Sequence, residues 1–276
     1  MRNYKIQLKE QGYAVQGGTL ECILMDRPFD SGCEDWKRPA VIVVPGGGYG
    51  FVSKREGEPV ANYFLANGFQ AFVLTYLVSG DGVSYPEQLI EIASAVDFVK
   101  KHAEEYNVNP DELFVVGFSA GGHLVGNLAT QYMEAPVLAG QSLDCKPTAA
   151  GLSYPVVYPE GHMGSYVNLL QGYDGEEKER LMKKLTLDKA VTKDTVPSFL
   201  WSTAGDGLVP PQNALRYAMA CAENGVLFEI HVYPQGGHGG ATADWEVNGQ
   251  EQFLRKNHAW LENCASFFRL FVKETF

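Results

Sequence analysis

Ser119 has the sequence surroundings of a nucleophilic serine. It is the central residue of Gly117-Phe118-Ser119-Ala120-Gly121, which directly follows the apolar run 113–116. Glycines on both sides of a serine let the chain turn sharply from a strand into a helix, so that the hydroxyl is exposed. The N-terminus of that helix favours developing negative charge. The pattern predicts covalent catalysis by Ser119, and a glycine-rich turn without chemistry is the alternative that these five residues leave open.

A serine hydroxyl needs a base, and His238 has the most suitable position for that role. It lies in the glycine-rich segment 236–240, just after the predicted strand 228–233. Loops at the C-terminal ends of parallel strands carry the site residues of open α/β sheets, and an imidazole there can take the proton of Ser119. His123 is expected to pack within the helix that follows Ser119. No role is assigned to the remaining histidines, which are His102, His162, His231 and His258.

The base in turn needs an acid that orients it, and Asp206 is the predicted acid. It directly follows the predicted strand 198–203, one strand-helix-strand unit before His238. The two loops are therefore expected to be neighbours at one edge of the sheet. An aspartate at this position can also simply cap a turn, which is the alternative. Asp244 is a weaker candidate, because it would have to orient a histidine in its own loop.

A tetrahedral intermediate needs fixed hydrogen-bond donors for its oxyanion. The backbone N–H of Ala120 is one expected donor, and the loop after the strand 40–44 should supply a second. That loop, residues 45–50, reads Pro-Gly-Gly-Gly-Tyr-Gly. Three consecutive glycines cost chain entropy, so they favour a backbone that must approach a substrate closely. A flexible turn is the alternative.

The elements that must position these residues alternate between strand and helix. Helices are expected from Pro59 to about Gly68, from Pro86 to about Ala103, after Ser119, and over 212–224. A C-terminal helix is expected to carry Leu254, Leu261, Ala265, Phe268 and Val272. The alternation predicts an α/β protein whose central sheet is mainly parallel, with about eight strands and with helices on both faces. Strands are predicted at 19–25, 40–44, 71–76, 113–118, 149–157, 198–203 and 228–233.

The predicted site residues extend from the middle of the chain almost to its end, so residues 1–276 are expected to form a single domain. The segment 159–196 interrupts the alternation of strands and helices. It contains the charged stretch 175–184, which has the composition of a surface helix. A small insertion over the site end of the sheet is therefore predicted, and whether it moves as a lid is left open.

The composition is that of an ordinary soluble globular protein, with 45% hydrophobic and 20% charged residues. A net charge of −11 argues against nucleic acid or an anionic membrane as a partner. The chain has no apolar run of membrane-spanning length and no secretory signal. A cytoplasmic location is therefore expected, and a homodimer is the default oligomer. Free thiols without metal-ligand spacing are expected at Cys22, Cys33, Cys145, Cys221 and Cys264.

Together these motifs resemble the α/β-hydrolase superfamily. The segments that carry the resemblance are 44–49, 55–59, 117–123, 199–206 and 237–239. The chain order serine, aspartate, histidine is also that of α/β-hydrolases. The chain is most similar to the esterase/lipase branch that contains hormone-sensitive-lipase-like and acetyl-xylan-esterase-like proteins. The resemblance implies the α/β-hydrolase fold, a catalytic triad of Ser119, Asp206 and His238, and oxyanion donors at Gly47, Gly48 and Ala120.

One departure from the family pattern bears on the substrate. Hormone-sensitive-lipase-like proteins begin the glycine loop with histidine, whereas this chain has Pro45. The resemblance to sugar-ester deacetylases implies a serine carboxylesterase for short acyl esters such as acetyl esters, with sugars or short oligosaccharides as the candidate alcohols. It would need no metal or organic cofactor, and Tyr49 is a candidate pocket wall. The same triad acting on an arylformamide or a peptide is the first alternative, and a non-catalytic binding protein of the same fold is the second.

Overall fold

The computed structural model of the chain describes residues 1–26, 36–252 and 256–273. The strands in these ranges are β1 (Arg2–Gln7), β2 (Thr19–Leu24), β3 (Arg38–Val44), β4 (Gln70–Thr75), β5 (Val108–Phe118), β6 (Ala149–Ser153), β7 (Ser198–Thr203) and β8 (Phe228–Tyr233). These eight strands of the described residues form one sheet in the order β1-β2-β4-β3-β5-β6-β7-β8. The β1–β2 and β2–β4 pairs are antiparallel and the others are parallel. The predicted mainly parallel sheet is confirmed.

Helices occupy most of the connections between strands. Within the described ranges they are α1 (Glu58–Ala66), α2 (Glu87–Lys101), α3 (Ala103–Tyr106), α4 (Ala120–Gln131), α5 (Ala135–Ala139), α6 (Met163–Leu169), α7 (Gly175–Lys184), α8 (Leu187–Ala190), α9 (Gln212–Glu223), α10 (Trp245–Gln252) and α11 (Ala259–Arg269). Helix α10 is interrupted at Gly249, whose φ of 63° and ψ of −172° are not helical. Short 3-10 helices lie at Leu8–Gln11, Lys54–Glu56, Ser79–Asp81 and Pro159–Gly161.

Two apolar cores cover the two faces of the sheet. Alternate residues of β3 point into different cores, with Ile42 in one and Val41 in the other. The central strands are buried on both sides, which explains why their sequences are continuous apolar runs. Helices α2, α4 and α9 pack on the first face, whereas α1 and α11 pack on the second. The predicted covering of both faces by helices is therefore confirmed.

Several boundaries differ from those predicted. Strand β6 ends at Ser153 rather than near residue 157, because Tyr154 has a φ of 36° and Pro155 cannot donate a ladder hydrogen bond. The long second helix ends at Lys101, and α3 follows as a separate turn. The last helix begins at Ala259, and Leu254, which was predicted to belong to it, lies outside the described residues.

Strand β1 is an element that the sequence did not predict. Its six residues alternate between half-buried and exposed, so it has no apolar run that would mark it. It lies at an edge of the sheet and pairs only with β2 among the described strands. An edge strand that is half-buried on one face depends on backbone pairing more than on side-chain burial, and this explains the weak signal.

The segment 159–196 contains α6, α7 and α8. Helix α7 is the charged helix predicted there, and Leu181 is its one buried residue. The segment is bonded to α4, because the ring of His123 donates a hydrogen bond from Nε2 to the Leu185 carbonyl oxygen over 2.9 Å. The backbone N–H of Val196 also donates to the carbonyl oxygen of Ala129. That the segment is an insertion into a single domain stays a prediction.

Two expectations from the sequence concern the cysteine thiols and membrane-spanning helices. Cys22, Cys145, Cys221 and Cys264 are free and buried, whereas Cys33 lies outside the described residues. In the described ranges, every helix is too short or too polar to cross a bilayer.

Helix α2 carries a buried carboxyl group at Glu91. One of its oxygens accepts a hydrogen bond from the backbone N–H of Leu77 over 2.9 Å. Burial raises the pKa of Glu91 from 4.5 to about 8, and the nearby charge of Glu87 adds to this shift. The folded state therefore binds a proton that the unfolded chain releases above pH 4.5. This stabilisation is complete at low pH and is lost as the pH rises towards 8.

We expect Glu91→Gln to flatten the pH dependence of stability. The amide oxygen still accepts from Leu77, but the side chain no longer ionises. Between pH 4.5 and 8 the wild-type free energy of unfolding should fall relative to the variant by on the order of 1 kcal/mol per pH unit. Urea denaturation across this range measures the difference. Glu223→Gln, at an exposed position, controls for the loss of one negative charge, and parallel curves for Glu91→Gln and wild type would contradict the prediction.

Candidate active site

The predicted site residues lie at one edge of the sheet. Ser119 directly follows β5, Asp206 follows β7 and His238 follows β8, while the glycine loop 45–50 follows β3. Strands β3, β5, β6, β7 and β8 are successive parallel neighbours, so their carboxyl ends lie side by side. The structure brings these four loops together, as expected for open parallel sheets.

Ser119 has a backbone conformation that non-glycine residues rarely adopt. Its φ is 53° and its ψ is −116°. The turn is fixed because the Ser119 N–H donates to the Ser153 carbonyl oxygen and the Ser119 carbonyl oxygen accepts from the His123 N–H, both over 3.0 Å. Gly121 is required here, since a Cβ atom would lie 2.2 Å from the Val44 carbonyl oxygen. The turn thus presents the Ser119 side chain at the start of α4.

Ser119, His238 and Asp206 form a continuous chain of hydrogen bonds. The His238 Nδ1–H donates to Oδ2 of Asp206 over 2.7 Å, because a carboxylate oxygen can only accept. Nε2 of the same ring then lacks a proton and accepts the Ser119 hydroxyl over 2.8 Å. This is the geometry in which an imidazole can remove the proton of a serine during attack on a carbonyl carbon.

The Asp206 carboxylate both caps a turn and orients His238. Its Oδ1 accepts the backbone N–H groups of Leu208 and Val209 over 3.0 and 2.9 Å, which leaves Oδ2 for the histidine. The side chain has no exposed surface, so its orientation is fixed from all sides. Asp244, the other candidate, accepts the Val247 N–H and caps α10 instead.

The expected oxyanion donors Gly47 and Gly48 line the same cavity as Ser119, and Ala120 follows Ser119 in the chain. Ala120 is the first residue of α4, and the first N–H groups of a helix have no partner within it. Among the hydrogen bonds of the described residues, neither the Gly47 nor the Gly48 N–H acts as a donor. Gly47 has a φ of 127°, and a Cβ atom on it would lie 2.0 Å from the Phe51 carbonyl oxygen. The loop conformation therefore requires glycine at residue 47.

Tyr49 occupies a different place from the one expected for a pocket wall. It is completely buried beneath the glycine loop, and its hydroxyl donates to Nδ1 of His123 over 2.8 Å. Because Nε2 of His123 donates to Leu185, this ring is a neutral tautomer with Nδ1 free to accept. Burial lowers the pKa of His123 to about 4, which keeps it neutral near pH 7. The buried hydrogen bond between Tyr49 and His123 thus joins the glycine loop to α4. The helix-packing role predicted for His123 agrees with this position.

A cavity of about 390 Å³ opens in front of the Ser119 hydroxyl. Apart from the two glycine-containing loops and the predicted triad, its lining consists of Ser53, Arg55, Glu56, His162, Phe51 and Leu208, and most of the exposed lining surface is apolar. Phe51 and Leu208 are more than half exposed, which places them at the mouth. The sequence predicts no role for any of these six residues, although Arg55 and Glu56 lie in a segment that carries the family resemblance.

The segment 159–196 contributes His162 to the lining of the cavity. The Ser165 N–H donates to Nδ1 of His162 over 3.2 Å, so the ring carries its proton on Nε2. Burial, and then the nearby His238, lower the pKa of His162. A neutral N–H donor therefore lies near the Ser119 side chain. No spacing or periodicity in the sequence marks this histidine, because a separate helix α6 carries it to the site. Among the described residues, no three His, Cys, Asp or Glu side chains converge as metal ligands.

We expect His123→Ala to reduce stability strongly. The change leaves a cavity under α4 and removes the partners of the Tyr49 hydroxyl and the Leu185 carbonyl oxygen. Together these losses should lower the free energy of unfolding by about 3 kcal/mol. Urea denaturation measures the loss. Ser119→Ala is the control and should change the free energy of unfolding by less than about 1 kcal/mol. A His123→Ala variant as stable as wild type would contradict the packing role.

The sequence matches known proteins along most of its length. A family model described as BD-FAE matches residues 32–146, and the prolyl oligopeptidase family model matches residues 90–267. The chain is 34% identical over 218 residues to the endo-1,4-beta-xylanase B of Butyrivibrio fibrisolvens, which covers 77% of the chain and 34% of that protein. It is 27% identical over 271 residues to the acetylxylan esterase of Xylanibacter ruminicola, which covers 96% of the chain and 51% of that protein. The chain thus spans about a third to a half of the length of these curated relatives.

A solved structure resembles the whole chain. The acetyl ester-xyloside bifunctional hydrolase from Caldicellulosiruptor lactoaceticus has a TM-score of 0.81 and 29% sequence identity, over 98% of this chain and 96% of that one. This likeness confirms the α/β-hydrolase fold and the superfamily resemblance that the motifs indicated. Because the second family model matches more than half of the residues, this chain belongs to the prolyl oligopeptidase family of α/β-hydrolases.

Proposed function

We propose that the chain is a serine carboxylesterase that hydrolyses short-chain acyl esters, chiefly acetyl esters of sugars or short oligosaccharides. The observation that carries the proposal is the chain of hydrogen bonds from Ser119 through His238 to Asp206, at the edge of a cavity. The chain's likeness to proteins named acetylxylan esterase and acetyl ester-xyloside hydrolase supports the acetyl ester as substrate.

The proposed reaction has two steps. His238 takes the proton of Ser119 while the serine oxygen attacks the ester carbonyl carbon, and the N–H groups of Gly47, Gly48 and Ala120 stabilise the oxyanion. His238 then gives its proton to the departing alcohol, which leaves an acyl group on the serine. In the second step His238 takes a proton from water while the water oxygen attacks the acyl-enzyme, and it then gives that proton to the serine oxygen as the acid is released. Asp206 holds the imidazole in the tautomer that both steps need.

The lining of the cavity supports a short acyl group and a polar alcohol. A long alkyl chain that ran along Arg55 and His162 would remove water from their N–H groups without replacing those hydrogen bonds. A sugar hydroxyl can instead bond to such groups. Pro45 in place of the histidine of hormone-sensitive-lipase-like proteins points to the same substrate class.

A peptide bond is the second candidate substrate, because the matched family model is described as prolyl oligopeptidase. The same triad can cleave either bond. Assays of a chromogenic acetate, an N-formyl aromatic amide and a proline-containing peptide, run side by side, separate the candidates. A cytoplasmic location and a homodimer also stay predictions, which fractionation and sedimentation would test.

We expect Ser119→Ala to abolish turnover of p-nitrophenyl acetate. The loss of the nucleophilic oxygen should reduce kcat by about 10⁴-fold or more. The thermal melting curve should remain close to that of wild type, because one buried oxygen atom is removed. A substantial residual rate in a folded variant would identify another nucleophile.

We further expect kcat/KM to fall as the acyl chain lengthens from acetyl to octanoyl. Covering the N–H groups of Arg55 and His162 should cost the longer chain on the order of tenfold or more in kcat/KM. A series of p-nitrophenyl esters measures this dependence under conditions where every ester is dissolved. A flat or rising series would exclude the short-acyl preference but would leave the esterase proposal intact.

A further inference from the structure

Glu56 is a buried carboxylate beside the proposed site with two hydrogen-bond partners. Its side chain lies in the cavity lining, yet the residue is only 3% exposed. Oε2 accepts the backbone N–H of Gly46 over 2.9 Å, and Oε1 accepts the hydroxyl of Tyr154 over 2.7 Å. No salt bridge in the described part of the chain involves Glu56. The carboxylate therefore acts through these two hydrogen bonds.

Tyr154 extends the connection to the loop that carries His238. Its hydroxyl accepts the backbone N–H of Ala241 over 2.9 Å while donating to Glu56. Its ring meets the ring of His238 edge to face, with centroids 5.0 Å apart and an interplanar angle of 71°. Burial, and then the charge of Glu56, raise the pKa of Tyr154 well above its ordinary value, so the hydroxyl remains a donor.

Gly46 links the same carboxylate to the turn at Ser119. A Cβ atom on Gly46 would lie 2.6 Å from the Phe118 carbonyl oxygen and 2.9 Å from the Ser119 Cβ atom. The backbone of the glycine loop is thus packed directly on the nucleophile turn. A hydrogen bond that holds Gly46 in place also holds the start of the loop that carries Gly47 and Gly48.

We propose that Glu56 is a positioning residue that fixes the glycine loop and the histidine loop relative to Ser119. The proposal rests on the function proposed above, because it assumes that the first loop supplies oxyanion donors and the second a base. Glu56 touches neither the hydroxyl of Ser119 nor the imidazole of His238 through a hydrogen bond in the described structure. It acts through Gly46 on one side and through Tyr154 and Ala241 on the other.

The chemistry requires a carboxylate at this position. Both partners of Glu56 are donors, and an ionised carboxylate offers two acceptor oxygens. Glutamine has nearly the same shape but offers one oxygen and one NH₂ group. If its oxygen faces Tyr154, the NH₂ group faces the N–H of Gly46, and two donors oppose each other. Aspartate keeps the charge but is one methylene shorter and cannot reach both partners.

The test compares Glu56→Gln with wild type on p-nitrophenyl acetate. We expect kcat to fall by about 10²-fold, the loss that follows from a misplacement of about 1 Å in the site, with KM changed by less than about threefold. Tyr154→Phe should reduce kcat by about tenfold, and the double variant should resemble Glu56→Gln alone because both changes break one network. Glu58→Gln is the matched control, since Glu58 is a nearby exposed carboxylate that should leave kcat unchanged.

A second readout does not depend on the natural substrate. The rate at which a fluorophosphonate labels Ser119 reports the same loop geometry, and we expect it to fall in Glu56→Gln in parallel with kcat. Wild-type kcat and labelling rate in a folded Glu56→Gln variant, or a loss confined to KM, would overturn the proposal. Independent, fully additive effects of Glu56→Gln and Tyr154→Phe would also overturn it. If Glu56→Gln does not fold, Tyr154→Phe decides by itself, with a fall in kcat at constant KM supporting the network.

A failure of the esterase proposal gives a different pattern. In that case wild type hydrolyses no ester at a measurable rate, whereas the labelling rate still compares wild type with Glu56→Gln. If wild type is labelled at Ser119 and the variant is labelled about 10²-fold more slowly, the positioning role stands although the substrate class does not. The two proposals can therefore fail separately.

Discussion

The site depends on the close approach of α4 to the end of β3. A Cβ atom on Gly121 would lie 2.2 Å from the Val44 carbonyl oxygen, so only a glycine lets the helix start directly behind the turn at Ser119. This approach forces Ser119 into a positive φ, a conformation that costs about 1–3 kcal/mol for such a residue. The packing of β5 and α4 within the core holds the turn, and the other three loops meet around it. A chain that relaxed this turn would withdraw the hydroxyl from His238.

A second pattern is that buried polar groups hold the loops of the site. Asp206 uses one oxygen for its own turn and the other for His238. The Tyr49 hydroxyl, within the glycine loop, is bonded to His123, and the Glu56 carboxylate accepts the N–H of Gly46, the first glycine of that loop. Each group has its partners within the protein. Hydrogen bonds of this kind are costly to break once buried, which makes the arrangement rigid.

The sequence was enough to predict the site residues that directly follow strands. It was not enough to predict those whose position depends on tertiary packing. Ser119, Asp206 and His238 each lie directly after an apolar run, so the topology of a parallel sheet was enough to bring them together. His162 arrives on a short helix whose position depends on tertiary packing, and Glu56 acts from within a 3-10 helix. Tyr49 was expected at the cavity because it adjoins the glycines, but the positive φ of 59° at this residue turns its ring into the core. Strand β1 could not be predicted from the sequence, because it has no apolar run and is recognised only by its backbone pairing with β2.

The hydrogen bond from His123 to the carbonyl oxygen of Leu185 limits how the segment 159–196 can be exchanged between relatives. The contact is made to the main chain, so this hydrogen bond depends on the path of the backbone, whereas the Leu185 side chain is itself buried in the core. The same segment carries His162 to the cavity. A chimera that imports this segment to alter selectivity must therefore preserve both the backbone geometry next to α4 and the buried side chains of the segment.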